Sequence, residues 1–439
     1  MPDPGNRPVD EPGSGPLRIL IPGDTFPPNV NGAAKFTEQL AAGMAARGHE
    51  VHVVVPAASR RHGCWTEEYS GQRITAHRLP SYRWPWHDWL RFVLPNRARV
   101  YMRRILAEVR PHVVHSQSVV VLGRAASIEA QRLGIRQIMT NHLMLENVLD
   151  HSRIPGFLQQ FVAKRWWRDV TETLARNAAV TTPTRRAAEF LSRNGGVEEV
   201  LAISCGIHTE RYRPDFGPKP ERRILFVGRV TGEKQLDTLL RAFRLLPTEL
   251  GARLDVVGLG DKRRELEALA AELGIAERTS FHGYVSETAL PGIYRRATVF
   301  AMPSTAELQS IATMEAMASG LPVVAADAMA LPHLVHHGRT GLLVAPRDPQ
   351  ALADALERVL RMPEEERQRM GRAGLQLVQM HDIERTLDLF ERLYRGESVA
   401  EVARDSYNEQ DRSLEDRSRD GADGPDESDA AAAGGGRAA

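Results

Sequence analysis

Cysteine is nearly missing from this chain: Cys64 and Cys205 are the only two in 439 residues, with no metal-type spacing. That excludes a disulfide framework and a cysteine zinc site, and it fits a reducing compartment. A long hydrophobic run is missing as well. No stretch of about 18 apolar residues occurs, so no segment is read as crossing a membrane. An excess of one charge is also lacking, since 57 Lys and Arg face 56 Asp and Glu, a net charge of +1. No global field therefore argues for nucleic acid as a partner. The opening residues MPDPGNRPVDEPGSGP contain no apolar signal core, which reads as a disordered leader rather than an export signal.

What is present is ordinary soluble composition, 42% hydrophobic and 26% charged. At this length one compact core gives way to two domains. Short apolar runs alternate with helical patterns: LRILI (17–21), VHVVV (51–55), HVVHS (112–116), RQIMT (136–140) and AAVTTP (178–183). A polar stretch with three prolines follows at 204–221, and the rhythm restarts with RILFVG, RLDVVG, TSFHG, TVFAM, PVVAA and GLLV. This is the βαβ signature of parallel sheets. The predicted fold class is α/β, two Rossmann-like doubly wound domains facing a central cleft. The expected division is a leader 1–16, an N-terminal domain 17–205, a linker 206–221 and a C-terminal domain 222–380. A helix 381–396 packs back toward the N-terminal domain, and 397–439 form a disordered tail. In that tail 12 acids face 5 bases, and few large apolar residues offset the ordering entropy. Removing residues from about 400 onward is expected to leave activity intact.

Ligands in such sheets bind at the carboxyl ends of strands, so the loops there are the candidate sites. Gly32, just before the first helix, would let backbone approach an anionic ligand; the plainer reading is a turn that holds nothing. Arg229 and Lys234 follow the strand that ends at Gly228, where two cations can clamp a diphosphate. Solvated loop charge is the alternative. Gly258 and Gly260 in VVGLGDKRR do not make a nucleotide fingerprint, because Arg263 occupies the third glycine position. A tight strand–helix turn explains them better. In PSTAELQSIATMEAMASG, Glu307 falls in a loop and Ser310 is the expected N-cap of a helix carrying Glu315. A loop carboxylate can hold hydroxyls while the helix start faces an anion. Two solvated acids are the alternative, but Ile311, Met314, Ala316 and Met317 predict a largely buried helix.

Taken in order, these pieces resemble family-4 retaining glycosyltransferases of the GT-B fold. The resemblance runs over residues 17–396. It is carried by FPPNVNGAAKFTEQLAAGMAARGHEV, GIHTERYRP, GRVTGEKQLDTLLRAF, VVGLGDKRRELEALAAELGI, FHGYV, the two glutamates with EAMASGLPVVA, and GRTGLLV. It implies a UDP- or GDP-linked sugar as donor substrate, with no cofactor and no bound metal. It places Arg229 and Lys234 on the diphosphate, Glu315 on the ribose and Val285 against the base. It places Glu307 and the Leu308, Gln309 and Ser310 amides on the sugar, His142 beside the transferred sugar, and Gly32 and Gly228 on the donor side. Two departures stand out. Leu308-Gln309-Ser310 replaces the common Gly-Phe-Gly, which is expected to put side chains into the sugar pocket. Asn31-Gly32 replaces a glycine doublet.

Acceptor signals lie in the N-terminal half. Residues 81–104 contain Trp84, Trp86, Trp89 and Arg91, with six arginines against one aspartate; 157–170 adds Trp166 and Trp167. Rings plus basic residues suit an anionic bilayer; core tryptophans and a solvated basic face are the alternative. The expectation is a cytoplasmic enzyme, peripheral on the inner face of the plasma membrane. It would move glucose or mannose to a glycolipid precursor such as diacylglycerol or phosphatidylinositol. A soluble acceptor such as inositol phosphate, a sugar or a secondary metabolite is the alternative, and a non-catalytic nucleotide-sugar-binding protein a third reading.

Overall fold

The computed structural model describes residues 15–29, 31–84, 87–142, 156–197 and 199–406. Numbered along the chain, the strands of the first half are β1 (Arg18–Pro22), β2 (Glu50–Pro56), β3 (Gly63–Tyr69), β4 (Gln72–Leu79), β5 (Tyr82–Trp84), β6 (His87–Phe92), β7 (Val113–Ser116), β8 (Arg136–Thr140), β9 (Ala179–Thr182) and β10 (Val200–Ala202). Those of the second half are β11 (Arg223–Val227), β12 (Arg253–Val257), β13 (Thr279–Gly283), β14 (Val299–Met302), β15 (Val323–Ala326) and β16 (Gly341–Val344). The first sheet runs β10-β9-β8-β7-β1-β2-β4-β3 and the second β13-β12-β11-β14-β15-β16. Every pairing is parallel except β3 with β4 in the first sheet. The second sheet is parallel throughout. Helices cover both faces, so the strands read as continuous apolar runs: in EVHVVVP all but Glu50 is buried.

Each sheet reverses its strand order once, next to β1 in the first and next to β11 in the second. A crevice opens at such a switch point. The loops after β1 and β7 meet there in the N-terminal half, and the loops after β11 and β14 in the C-terminal half.

The last helices belong to the first half in space. Helix Glu364–Val378 ends the second half, the chain crosses at Gln379–Asp382, and helix Ile383–Tyr394 packs on the N-terminal core. Its apolar stripe has the helical period that predicts docking. Phe390 lies 5.9 Å from the Phe36 ring and 4.7 Å from the His115 ring. Tyr394 Oη meets His115 Nδ1 at 2.6 Å. Gly43 lies opposite: a Cβ there would lie 2.4 Å from Leu387 Cδ1, so a larger residue would have to displace that side chain.

Three expectations change. The segment after 396 is not all disordered tail. Helix Val399–Ser406 continues the fold, with Val402 fully buried in the N-terminal core. Acidic composition hid that one apolar anchor, so a cut at 400 removes core. Residues 407–439 and 1–14 lie outside the described residues. Gly15, assigned to the leader, accepts from Arg395 through its carbonyl. The antiparallel hairpins β3–β4 and β5–β6 were not foreseen. The first turns at Ser70-Gly71, both with positive φ, as a tight hairpin turn demands.

Candidate active site at the carboxyl ends of the strands

The loop after β11 starts at Gly228 and is braced from below. A Cβ on Gly258 would lie 1.8 Å from the Gly228 carbonyl oxygen, and one on Gly260 2.0 Å from that of Val230. The two glycines therefore serve a close approach of backbones, the turn reading rather than a fingerprint. The braced loop carries a short 3-10 turn, Gly232–Lys234. Arg229 pairs with Glu233 at 3.0 Å, and Lys234 Nζ pairs with the Glu307 carboxylate across the switch point. Lys234 and Glu307 side chains are only 13% and 9% exposed. Glu233 also joins the two loops: its carbonyl accepts from Thr305 N at 3.1 Å and Ser304 Oγ at 3.2 Å.

Glu307 is fixed at its own carbonyl by Ala330 N at 3.2 Å. Four residues later helix Ile311–Ala318 begins, so its first amides, which have no acceptor within the helix, lie at the same end of the sheet. Ser310 precedes it with φ 71° and makes no side-chain cap. Its hydroxyl instead meets Thr313 Oγ1 at 2.8 Å. The expected Ser310 cap is thus a positional one only, because the left-handed backbone turns the side chain off the helix axis.

Glu315 lies more than a turn inside this helix and is buried. Tyr294 Oη donates to it at 2.8 Å, and Tyr212 also hydrogen-bonds to it. Burial raises its pKa above the usual carboxylate value, and the two hydroxyls pull it back only in part. Val285 follows β13, partly buried against the C-terminal core, beside the exposed ring of Tyr284.

The N-terminal half faces this with three groups. Gly32 opens helix Gly32–Ala46, and a Cβ there would lie 3.9 Å from Ile311 Cδ1, across the cleft on helix Ile311–Ala318. Asn31, the departure from a glycine doublet, is that helix's N-cap and accepts from Ala34 N at 2.9 Å. His142 follows β8. Its Nε2 meets Gln117 Oε1 at 3.0 Å, and Phe36 packs at 5.1 Å from its ring. Burial lowers the imidazole pKa to about 4, so it is neutral at pH 7.

The expectation for Leu308-Gln309-Ser310 is overturned in part. Gln309 is 3% exposed and its amide is engaged by the Ser204–Cys205 segment of the other half. Its Oε1 accepts from Cys205 N at 2.7 Å, and its Nε2 donates to Ser204 Oγ at 2.7 Å. The Leu308 carbonyl accepts from Thr184 Oγ1 at 2.9 Å.

The acceptor-side residues are not brought to this crevice as one cluster. Arg91 is tied to Ser81, through Nε at 2.8 Å to the hydroxyl and Nη2 at 2.9 Å to the carbonyl, so it anchors the β5–β6 hairpin. Arg99 and Arg103 pair with buried Glu129. Trp166 and Trp167 pack on an apolar core cluster, the plainer of the two readings. Trp86 lies outside the described residues, as do the side chains of Trp84 and Trp89. Among the described residues no group of three or more His, Cys, Asp or Glu is placed to hold a metal. No helix among them is long and apolar enough to cross a membrane.

Sequence reasoning missed Glu233, Gln117, Tyr212 and Tyr294. The two tyrosines lie 103 and 21 residues from Glu315 in the chain and only the fold joins them to it. Glu233 sits between two singled-out cations, a spacing that could have found it.

Two family models match. Glycosyltransferase Family 4 covers residues 30–211, and Glycosyl transferases group 1 covers residues 209–377. An uncharacterized glycosyltransferase of Methanocaldococcus jannaschii is 37% identical over 140 residues, 32% of this chain and 36% of that one. A GDP-mannose-dependent alpha-(1-6)-phosphatidylinositol monomannoside mannosyltransferase of Mycobacterium tuberculosis is 26% identical, over 82% of this chain and 93% of that one. Among solved structures, sucrose-phosphate synthase of Thermosynechococcus elongatus superposes with a TM-score of 0.73 at 22% identity, covering 86% of this chain and 98% of that one. Twin doubly wound sheets, crevices at both switch points and consecutive family matches agree: the chain belongs to the family-4 glycosyltransferases and is a hexosyltransferase of the GT-B fold.

Proposed function

We propose that the chain transfers a hexosyl unit, mannose from GDP-mannose first and glucose second, with retention, to a hydroxyl of a membrane glycolipid precursor of the phosphatidylinositol or diacylglycerol type. The observation that carries this reading is the meeting of Lys234, Arg229, Glu307 and a helix N-terminus at one switch point. Two cations and a helix start stabilise a departing diphosphate without a metal. Glu307 accepts from sugar hydroxyls, and Glu315 is set deeper for the ribose. Neutral His142 offers an uncharged ring at the sugar. The mycobacterial relative, which acts from GDP-mannose on a phosphatidylinositol mannoside, supports the donor and acceptor chosen. Exposed Tyr82 on the β5–β6 hairpin, with exposed Arg83, Arg97 and Arg104 nearby in the chain, supports an anionic surface.

A product-release screen tests it, with GDP-mannose, UDP-glucose and UDP-galactose each offered phosphatidylinositol, diacylglycerol or inositol phosphate. Turnover only with inositol phosphate would move the acceptor to the soluble class. Flotation with vesicles tests the membrane part, and failure of anionic vesicles to recruit the chain would dismiss it.

Glu315 gives a signed prediction. Its folded pKa lies above the unfolded value, so the folded state binds the proton more tightly. The Glu315 contribution to stability is therefore full below the unfolded value and is lost as pH rises through the folded value. Glu315→Gln should raise the Tm of the ligand-free protein at pH 7 by about 2–4 °C, with the gain fading toward pH 4. Donor affinity should fall about tenfold. Melting curves over pH, with and without GDP-mannose, read both; a lower Tm at pH 7 would show that the tyrosines more than offset desolvation.

A further inference from the structure

The crossover between the domains is organised around Ser204. Its hydroxyl oxygen lies 2.7 Å from Gln309 Nε2, 3.1 Å from Gly206 N and 3.0 Å from His381 Nδ1. Its carbonyl accepts from Thr386 Oγ1 at 3.0 Å. Burial lowers the His381 pKa to about 4, so the ring is neutral at pH 7. Its Nδ1 can take the one proton the Ser204 hydroxyl has to give, which leaves the oxygen to accept from Gln309 and Gly206. The two passages of chain between domains are laced side by side here: Ile207 N donates to the His381 carbonyl and Ile383 N to the Ile207 carbonyl, each at 2.9 Å. Gln309 reaches into this crossing from the other domain, two residues after Glu307, and also takes the Cys205 amide.

We propose that Gln309 is a positioning residue for the donor sugar. It ties the 307–310 loop to the Ser204–Cys205 crossing, so the loop is set in place before the ligand arrives, and only while the domains are seated at that crossing. The inference rests on the reading of 307–310 as the sugar-facing loop. A side chain that leaves the family's common pattern is then used for coupling the domains, not for lining the pocket. Binding to a loop that must first be ordered is weaker by the fraction of time it is ordered.

Gln309→Met keeps the volume and removes both hydrogen bonds; Ser204→Ala removes one of the two from the opposite domain, leaves the Cys205 amide on Gln309, and does not touch the loop. Gln309→Met should weaken GDP-mannose (or whichever sugar donor the screen selects) at least about tenfold, the size of one buried hydrogen bond or more, and Ser204→Ala by a smaller factor. Free nucleoside diphosphate should change less than twofold, because it does not reach the 307–310 side chains. The double variant should be no weaker than Gln309→Met alone. In the ligand-free protein, amide exchange over 303–310 should rise in both single variants. Lost sugar-donor affinity in Gln309→Met with no rise in amide exchange over 303–310 would place Gln309 in the pocket and overturn the proposal. Equal losses for free diphosphate and sugar donor would reduce it to general destabilisation and also overturn it. If the wild type binds no sugar donor, the donor reading fails on its own, and the exchange measurement still decides the tether. Unchanged exchange in both variants overturns it.

Discussion

Lys234→Met lowers kcat for transfer by about 10²–10³-fold, the usual scale for deleting one group that stabilises transition-state charge. In the ligand-free protein Lys234 and Glu307 pair with each other behind the crevice mouth, both largely out of water. On the proposed function, a bound donor would offer each a better partner, the diphosphate for the ammonium and a sugar hydroxyl for the carboxylate, and the substrate would open the pair. Removing the lysine would take away the charge proposed to sit next to the leaving group and would also strand a buried carboxylate, so some stability should go too. Glu307→Ala should cripple transfer as well, but through the sugar. The two separate on donor hydrolysis and on free nucleoside diphosphate, which Lys234→Met weakens and Glu307→Ala does not. Turnover within threefold of wild type in Lys234→Met would dismiss the assignment of this crevice.

Phe390→Ala has the largest expected effect on stability, about 3–5 kcal/mol. The ring is fully buried between Phe36 and His115, and its loss opens a cavity that helices from opposite ends of the sequence cannot close. The midpoint of the N-terminal domain should drop by roughly 10 °C, while the C-terminal core keeps its own. Urea unfolding followed by a probe in each domain checks this. A loss below about 1 kcal/mol would mean that the Ile383–Tyr394 helix is only loosely seated. Tyr394→Phe is the milder companion, removing one hydrogen bond to His115.

The parallel strands were legible because burial on both faces makes each of them an apolar run, and most boundaries fall within a residue of those runs. The hairpins were not legible. In GCWTEEYSGQRITAHRL the alternation marks an edge with one wet face, and no neighbouring helix announces it. Arg229, Lys234 and Glu307 could be picked out as loop residues after strands. That Lys234 meets Glu307, rather than Arg229 doing so, depends on how β11 and β14 sit side by side. Glu315 looked like a ribose grip only through family resemblance; its tyrosine partners are contributed by distant segments. Gln309 misled for a simpler reason. Sequence shows that a side chain has replaced a small residue, not which way the backbone aims it, and here φ 71° at Ser310 turns the local chain. Val402 misled through composition, since one buried valine in an acidic segment leaves the average almost untouched.

The seating of the last helices on the first domain also sets an order of assembly. A ribosome delivers Phe36, His115 and the whole N-terminal sheet long before Phe390, Tyr394 and Val402 exist. The second domain, whose core comes from one continuous stretch, can close as it emerges. The first must wait with an open apolar face until Phe390, Tyr394 and Val402 have been made. The middle of this polypeptide can thus mature before its beginning, and the face awaiting residues 383–402 is where a chaperone would act.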